Sequence, residues 1–540
     1  MHVPKPDDMK VDFTLPEKGW LDTPVNFRPG TFSYPGVAKN LKYLDLPHPR
    51  TWAVTDEDWG LPENWKEIIL KGIQDKISKY RSFRLFMDIC VRCGACADKC
   101  HFFLGSGDPK NMPVLRAELI RSVYRNDFTL FGKVLGRFAG ARPLTTDVIK
   151  EWFYYFFQCT ECRRCSVFCP YGIDTAEVTI IARELLMELG LTINWIIEPA
   201  ANCFRTGNHL GLRPHTLIDT WEFIADDIES VTGITIDVNR HVNRKGAEIL
   251  FVTPSGDFFD ERGNYTTMGY MLLFEYLGLD YTWSTYASEG GNFGFFHSNQ
   301  LMKRLNNKVY HEAKRLGVKW ILGGECGHMW RVLHQYMDTM NGPADFMEEP
   351  VSPITGTKFE TAKSSKIVHI MEFAADLIRH DKLKVDPSRN DNYICTFHDS
   401  CNPARGMGIF EEPRHVIKHV CNNFYEMPEN TIREETFCCG SGAGLGNDEN
   451  LDMRMRGAMP RATALGHVKE KHGVNHMLCI CAIDRATLHA LTEYWHPEVN
   501  VGGVHEMLGN ALIMEGEKRR IKDLRGEPLP GMEDEEDDEE

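Results

Sequence analysis

The sequence has no hydrophobic run of the length that crosses a membrane. A spanning helix needs about 18 consecutive apolar residues, and the most aromatic run, residues 152–157, is far shorter. The sequence also lacks a basic excess, since 77 acidic residues against 61 basic ones give a net charge of −16. This charge opposes non-specific binding to nucleic acid or to an anionic lipid surface, so no nucleic-acid partner is expected.

The first eight residues have neither a basic start nor an apolar core. No secretory signal is therefore expected, and the predicted location is the cytoplasm. That compartment keeps thiols reduced, so the 17 cysteines, an odd number, argue against a disulfide framework and for metal ligation or redox chemistry.

The length of 540 residues predicts three or four domains, and 42% apolar and 26% charged residues are ordinary for soluble globular chains. Residues 1–60 are rich in proline and aromatic residues, which predicts an extended arm that wraps this protein or a partner subunit. Residues 516–540 are interpreted as an acidic disordered tail, because the last eight residues are all acidic.

Between the arm and the tail the periodicity changes once. Apolar spacing near 3.6 predicts helices throughout residues 61–195, and residues 196–246 are interpreted as a linker. Short apolar strands then alternate with amphipathic helices in two stretches, 247–390 and 391–515, which look like a diverged internal repeat. The predicted helices are 65–86, 115–124, 146–157, 176–189, 264–277, 299–316, 414–423, 456–471 and 483–494; the predicted strands are 248–253, 318–322, 393–397 and 474–480.

Two cysteine runs within the helical region are the strongest motif in the chain. They are Cys90-x2-Cys93-x2-Cys96-x3-Cys100 and Cys159-x2-Cys162-x2-Cys165-x3-Cys169-Pro170. In two-cluster ferredoxins, three thiolates at this spacing hold one [4Fe-4S] cluster and the fourth cysteine reaches the other cluster. We therefore assign Cys90, Cys93, Cys96 and Cys169 to one cluster, and Cys159, Cys162, Cys165 and Cys100 to the other.

Two other interpretations of these runs are weaker. Zinc sites normally pair two Cys-x2-Cys units and do not repeat this longer run. Covalent haem attachment before His101 needs two residues between the cysteines, whereas Cys96 and Cys100 are separated by three.

A second cysteine constellation lies in the last α/β stretch: Cys401-x36-Cys438-Cys439-x39-Cys479-x-Cys481. Adjacent cysteines in a loop suit a site that presents two sulfurs to several irons, and the glycines at 440, 442 and 444 let the backbone approach a cluster closely. These glycines do not form the Gly-x-Gly-x-x-Gly fingerprint, so dinucleotide binding there is unsupported. Small buried hydrophobic cysteines are the alternative interpretation.

The combination of motifs over residues 80–490 closely resembles heterodisulfide reductases of the HdrD type and their relatives. Within them, residues 398–403, 438–442 and 324–328 look like the DsrK subunits of the DsrMKJOP membrane complex of sulfite and sulfate metabolism. The resemblance implies an α+β multidomain protein, in which an all-helical ferredoxin domain with two [4Fe-4S] clusters is followed by two cysteine-rich, CCG-type α/β repeats.

The resemblance also implies an unusual catalytic [4Fe-4S] cluster in the second repeat. The candidate ligands are Cys401, Cys438, Cys439, Cys479 and Cys481. The first repeat keeps only Cys326, which implies one such cluster and not two. The family has Cys-x-x-Cys where this sequence has Cys479-x-Cys481. The resemblance therefore leaves open which of these two cysteines is a cluster ligand and which is not.

The activity expected from the resemblance is reduction of a disulfide or trisulfide. Electrons would come from a quinol-oxidising, cytochrome b-type membrane subunit (DsrM-like), beside DsrJOP-like subunits, and the substrate would be the trisulfide of a small DsrC-like thiol carrier. The chain is then peripheral on the cytoplasmic face of the inner membrane. His328 and His398 are candidate proton donors, and Cys326 is expected to line the pocket, to carry a mixed disulfide or to be an inert buried thiol.

Two other functions remain open at this point. The chain could be an electron-transfer adaptor without bond chemistry, as in iron–sulfur subunits of quinone-linked flavin dehydrogenases, or it could run in reverse and oxidise thiols. Three thiols have no assigned partner: Cys395 is predicted to be core, Cys203 lies in the linker, and Cys421 is unassigned.

Overall fold

Residues 65–188 are mainly helical. The computed structural model describes residues 59–289, 291–446, 451–518 and 520–532. The predicted first helix is two helices, because Tyr80 has an extended backbone (φ −112°, ψ 103°). The helices of this domain are α1 (Trp65–Lys79), α2 (Arg81–Asp88), α3 (His101–Ser106), α4 (Pro113–Phe128), α5 (Leu130–Leu135), α6 (Thr146–Phe156), α7 (Arg164–Val167) and α8 (Thr175–Glu188).

The stretch predicted as a linker carries two further helices, α9 (Asn194–Thr206) and α10 (Pro214–Thr232). Helix α10 packs on the first sheet through Trp221, which stacks on Trp283 with 4.3 Å between ring centroids. The stretch is therefore part of the folded body, because its apolar side chains are buried against neighbouring elements.

The first α/β unit (the first repeat) is built on a four-stranded parallel sheet with the order β2-β1-β3-β4. The strand residues are buried, as expected for a parallel sheet with both faces covered. The elements are β1 (Ile249–Val252), α11 (Glu261–Leu277), β2 (Tyr281–Trp283), α12 (Asn292–Phe295), α13 (Asn299–Leu316), β3 (Trp320–Gly323), α14 (Gly327–Asn341), β4 (Ile367–His369) and α15 (Ile370–Arg379).

The second α/β unit (the second repeat) has a three-stranded parallel sheet with the order β5-β6-β7. A parallel bridge from Cys395 to Phe424 lies on the far side of β5, where β2 lies beside β1 in the first sheet. Both units thus share one strand order, as the proposed internal repeat requires. The elements are β5 (Cys395–His398), α16 (Glu411–Val420), α17 (Leu451–His472), β6 (His476–Cys479), α18 (Ala482–Trp495), β7 (Asn500–Gly503) and α19 (Val504–Ala511).

The three parts pack directly on one another. Helix α11 of the first repeat crosses α19 of the second at Gly269, where an added Cβ would lie 1.9 Å from the carbonyl oxygen of His505. Helix α3 crosses α17 at Gly105, where a Cβ would lie 1.8 Å from the carbonyl oxygen of Arg456. Only glycine permits either contact, so both helix crossings depend on this residue type.

Part of the stretch that was predicted to be a disordered tail is folded. Residues 520–532 are docked on the second repeat and not disordered: Leu524 is buried, and Arg520 donates to the carbonyl oxygens of Gly509 and Asn510. Residues 533–540 and 1–58 of the predicted tail and arm lie outside the described residues. In the described part of the chain, every helix is too short or too polar to span a bilayer.

Candidate functional site

The two cysteine runs of the helical domain surround two separate hollows. The first hollow is lined by Cys90, Cys93, Cys96 and Cys169, together with Cys165. The tight loop that presents its first three cysteines needs positive φ at Arg92 (57°) and Gly94 (80°). Cys169, from the other run, lines the same hollow as these three cysteines.

The second hollow is lined by Cys159, Cys162, Cys165 and Cys100. Cys165 lines both hollows, so the two lie side by side. Buried Arg116 also lines the second hollow, and its guanidinium donates to Asn111 Oδ1 at 2.6 Å. Burial disfavours the Cys100 thiolate, but the charges of Arg116 and His101 and nearby amides hold its pKa below 9.0. Burial raises the pKa of Cys159 and Cys165, and the hydrogen bond to Cys438 raises that of Cys162. Four cysteine sulfurs around one hollow fit the ligand set of an iron–sulfur cluster.

A third group of sulfurs lies against the second hollow. The thiols of Cys162, Cys401 and Cys439 hydrogen-bond to Cys438, and these bonds lower the pKa of Cys438 well below 9.0. Cys438 and Cys439 are buried. A central thiolate surrounded by further thiols fits a polynuclear metal site, and Cys162 of the helical domain is part of its wall.

The loops that present these sulfurs are fixed by buried polar contacts at the carboxyl end of the second sheet. Asp399, just after β5, accepts two hydrogen bonds from the Arg414 guanidinium, at 2.7 and 2.8 Å, and one from the amide of Arg433. Ser400 Oγ accepts the amide hydrogen of Ile480 at 3.3 Å, which ties β5 to the end of β6. Ligand sites in open parallel sheets lie at this edge.

The two repeats meet at a second cysteine pair. Cys326 precedes α14 and Cys481 precedes α18, each as the N-cap residue after the corresponding strand of its repeat. The two thiols hydrogen-bond to each other, and this bond and burial raise the pKa of Cys326 well above 9.0. A Cβ at Gly327 would lie 3.2 Å from Cys481 Sγ, so glycine leaves room for this sulfur.

Cys479 has different surroundings. Its thiol lies 3.7 Å from the carbonyl oxygen of Gly502 on β7 and 4.0 Å from that of Cys481. Burial raises its pKa well above 9.0. Of the two cysteines that the sequence left open, Cys481 is the one whose sulfur contacts another cysteine sulfur.

The predicted histidines both lie at the third group. His398 Nε2 is 3.4 Å from Asp484 Oδ2. His328 contacts the glycine loop, since a Cβ at Gly442 would lie 3.0 Å from its Cε1. Burial lowers the pKa of His328 to about 4, and its Nε2 is buried without a hydrogen-bond partner among the described residues. An orphaned buried nitrogen beside the sulfurs is consistent with a group that binds there.

Three residues of the site were not predicted. Asp484 is buried and hydrogen-bonded to His398, Cys439 and Ser400, which together hold its pKa below 3.8 against burial. Asp484 lies three positions after Cys481, where a Cys-x-x-Cys motif starting at Cys481 would have its second cysteine. This spacing is the signal in the sequence that could have identified Asp484. His101 and Thr160 were missed as well: Thr160 Oγ1 lies 2.9 Å from His101 Nε2 and 3.3 Å from Cys438 Sγ.

A buried charge network supports the junction of the repeats. Arg485, one turn after Cys481, donates to Glu325 at 2.7 Å and to Asp257. Glu325 precedes Cys326 and also accepts from His505 Nδ1 at 2.7 Å. The network therefore joins the residues next to both cysteines of the pair.

The unassigned thiols lie apart from these sites. Cys395 is fully buried in β5, as predicted, and its thiol hydrogen-bonds to Cys421. Cys203 is buried in α9, and its carbonyl oxygen accepts from Lys308 Nζ at 2.5 Å.

Comparison with known proteins agrees with this division. Residues 86–173 match a 4Fe-4S dicluster domain, and residues 395–470 match a cysteine-rich domain of the CCG family. The chain is 49% identical, over 97% of its length and 99% of the relative, to an Hdr-like menaquinol oxidoreductase iron–sulfur subunit of Archaeoglobus profundus. It is 50% identical, over 97% of its length and 98% of the relative, to the Hdr-like menaquinol oxidoreductase iron–sulfur subunit 2 of Archaeoglobus fulgidus.

A more distant similarity connects the chain to a heterodisulfide reductase. The HdrD-type subunit of the dihydromethanophenazine:CoB–CoM heterodisulfide reductase of Methanosarcina mazei is 24% identical over 66% of this chain and 79% of the relative.

Proposed function

Because this chain belongs to the family of Hdr-like menaquinol oxidoreductase iron–sulfur subunits, we propose that it carries electrons from a menaquinol-oxidising membrane partner to a sulfur–sulfur bond. The resemblance to DsrK favours a DsrM-like cytochrome as donor, DsrJOP-like subunits as neighbours and the trisulfide of a DsrC-like carrier as substrate. The chain is then held at the cytoplasmic face of the membrane through these subunits.

The observation that carries the proposal is the contact between Cys162 and Cys438. Cys162 lines the second hollow, and Cys438 is the centre of the third group of sulfurs. The first and second hollows share Cys165. A continuous row of sulfurs therefore leads from the exposed Cys93 to the buried pair Cys438 and Cys439.

We propose that the first two hollows hold [4Fe-4S] clusters and that the third group holds the unusual cluster. Its ligands are drawn from Cys401, Cys438, Cys439 and Cys481, with Cys326 of the first repeat as the additional sulfur and Cys479 as a bystander. When bound, the three clusters would supply one-electron transfer and, at the third site, an iron to which a substrate sulfur can bind.

The chain's own residues would supply protons to the reaction and exclude water from the sulfurs. Splitting one sulfur–sulfur bond consumes two electrons and two protons; a disulfide then yields two thiols, and a trisulfide yields one thiol and one persulfide. Asp484 and His398 form a buried hydrogen-bonded pair beside Cys439, so His398 is oriented to deliver a proton to a leaving thiolate. The buried surroundings keep water from the sulfurs.

The test uses the full chain purified without oxygen. About twelve irons per chain are expected for three clusters and about eight for two. With a reduced viologen as donor and glutathione trisulfide as substrate, the chain should release thiols, and the half-reduced protein with substrate should show a new paramagnetic signal. Cys438→Ser should abolish the signal and the activity, whereas Cys395→Ser, a matched buried thiol, should retain both.

An adaptor without bond chemistry predicts a different outcome. The clusters would be present and reducible, but neither thiol release nor a substrate-dependent signal would appear. That result would overturn the catalytic part of the proposal, while iron confined to the helical domain would overturn the third cluster.

A further inference from the structure

The helical domain presents an apolar protrusion formed by residues 130–138. The four most exposed large apolar side chains of the described residues all lie there: Phe138 (85%), Leu130 (77%), Phe131 (72%) and Val134 (72%). Leu135 is exposed as well. Contiguous apolar exposure of this kind marks an interaction surface, whereas single exposed residues are ordinary.

The backbone of this protrusion is firmly anchored although its side chains are exposed. Thr129 caps α5 by accepting the amide hydrogen of Gly132 at 3.1 Å. Gly132 lies so close to α4 that a Cβ would be 1.8 Å from the carbonyl oxygen of Arg125. The Arg125 guanidinium in turn donates to the carbonyl oxygen of Gly140 at 3.0 Å. The protrusion therefore has a defined shape held from both ends.

The charge of this segment is opposite to that of the whole chain. Residues 128–146 contain Lys133, Arg137 and Arg142 and no acidic residue, in a protein of net charge −16. Lys133 and Arg137 are exposed among the apolar side chains. Lysine is depleted at the centre of protein–protein interfaces, whereas segments that lie in a membrane interface combine phenylalanine and leucine with lysine and arginine.

We propose that the apolar protrusion binds the surface of a bilayer that contains anionic lipids. The apolar side chains enter the interface, and Lys133 and Arg137 contact lipid phosphates. The protrusion adjoins the first hollow, because a Cβ at Gly140 would lie 2.9 Å from the guanidinium of Arg92, between Cys90 and Cys93. Binding would thus hold the first hollow beside the membrane, and it does not depend on the reaction at the third site.

Vesicle flotation of the full chain tests this proposal. The vesicles are phosphatidylcholine with or without phosphatidylglycerol, at low and high salt. We expect binding to the anionic vesicles that weakens with salt. Phe138→Glu should weaken it at least about tenfold, and Lys133→Gln or Arg137→Gln about fivefold each. Phe223→Glu is the matched control, since this phenylalanine on α10 is 61% exposed outside the protrusion, and it should bind like the unaltered chain.

Three results would overturn the proposal. The unaltered chain could fail to bind anionic vesicles, in which case a protein partner or another part of this chain covers the protrusion. Phe138→Glu could bind as well as the unaltered chain, or Phe223→Glu could lose as much binding as Phe138→Glu. Equal iron content of all variants shows that the substitutions leave the fold intact.

Discussion

Cys479 and Cys481 are two positions apart, and the structure predicts opposite consequences for their substitution. The Cys479 thiol is directed to the carbonyl oxygens of Gly502 and Cys481, whereas Cys481 Sγ contacts the sulfur of Cys326. If the third cluster depends on Cys481, Cys481→Ala should lower the iron content from about twelve to about eight per chain. Cys479→Ala should leave it at about twelve.

The stability change should be small for the bystander. Cys479→Ala removes one buried sulfur and no hydrogen bond that a charged group depends on, so a loss of about 1 kcal/mol is expected. Iron and sulfide analysis, with electron paramagnetic resonance of the reduced and half-reduced protein, measures both variants under the same conditions. Cys395→Ala controls for the loss of a buried thiol in a neighbouring strand.

The reverse result would refute the reasoning. If Cys479→Ala loses four irons and Cys481→Ala keeps all of them, the thiol directions in the structure do not report the ligands. Equal loss in both variants would mean that both sulfurs are needed, and Cys479 would then have to turn away from Gly502 when the cluster binds.

Three further substitutions test the surroundings of the site. Arg485→Met removes a buried cation from its carboxylates and should cost about 3 to 5 kcal/mol in urea unfolding, with partial recovery in Arg485→Lys; equal loss in both would argue against a charge effect. Burial lowers the pKa of His369 from 6.5 to about 3, so between these values the unfolded chain binds a proton that the folded chain does not, and stability falls as the pH drops. His369→Asn should therefore remove about 2 kcal/mol of the loss between pH 7 and pH 5, and an unchanged pH dependence would contradict this. Thr160→Val removes the hydroxyl beside Cys438 Sγ and should lower the potential of the third cluster in a redox titration; Thr179→Val, another buried threonine, should leave it unchanged.

The cysteine geometry of the helical domain was predictable because short covalent spacing determines it. Three cysteines at two-residue intervals have to share one loop, and this holds for Cys90, Cys93 and Cys96 around the first hollow. Four strands were predicted because each lies in a short buried stretch that is rich in apolar residues. Strands β2 and β4 have only three residues, and β7 contains two glycines, which weaken a strand pattern, so these three strands were missed.

The helices at 194–206 and 214–232 were missed for different reasons. Helix α9 contains Pro199, which argues against a helix in sequence reading. Helix α10 does carry a helical pattern, with Leu217, Trp221, Ile224 and Ile228 buried at intervals of three and four residues. This pattern is present in the sequence, but the turn-forming residues that flank it obscure it.

The third group of sulfurs could be predicted only in part. The sequence identifies Cys401, Cys438 and Cys439, but it cannot show that Cys162, more than 200 residues earlier, contacts them. Nor can it show the pairing of Cys326 with Cys481, because that contact depends on how the two repeats pack. Long-range contacts of this kind follow from helix crossings such as that at Gly269, which no local pattern reports.

The electrostatics of the interface between the helical domain and the second repeat follow from three arginines, the buried Arg164 and Arg461 and the partly buried Arg405. Arg164 donates to the carbonyl oxygens of Glu435, Lys99 and Asn430, and Arg405 to those of Cys162, Glu434 and Thr436. Arg461 donates to carbonyl oxygens and to the Thr436 hydroxyl.

A carbonyl oxygen satisfies a guanidinium without neutralising it, so these arginines keep their positive charge inside the protein. Burial of such charges is costly unless an anion lies nearby. The anionic groups that act on Arg461 are Asp399, Asp484 and Cys438, and those that act on Arg164 are Cys162 and Glu435. The positive charge of Arg405 opposes the rise in pKa that burial and the contact with Cys438 impose on Cys162 and Cys401, and it thereby favours the thiolate form in which a cysteine binds metal.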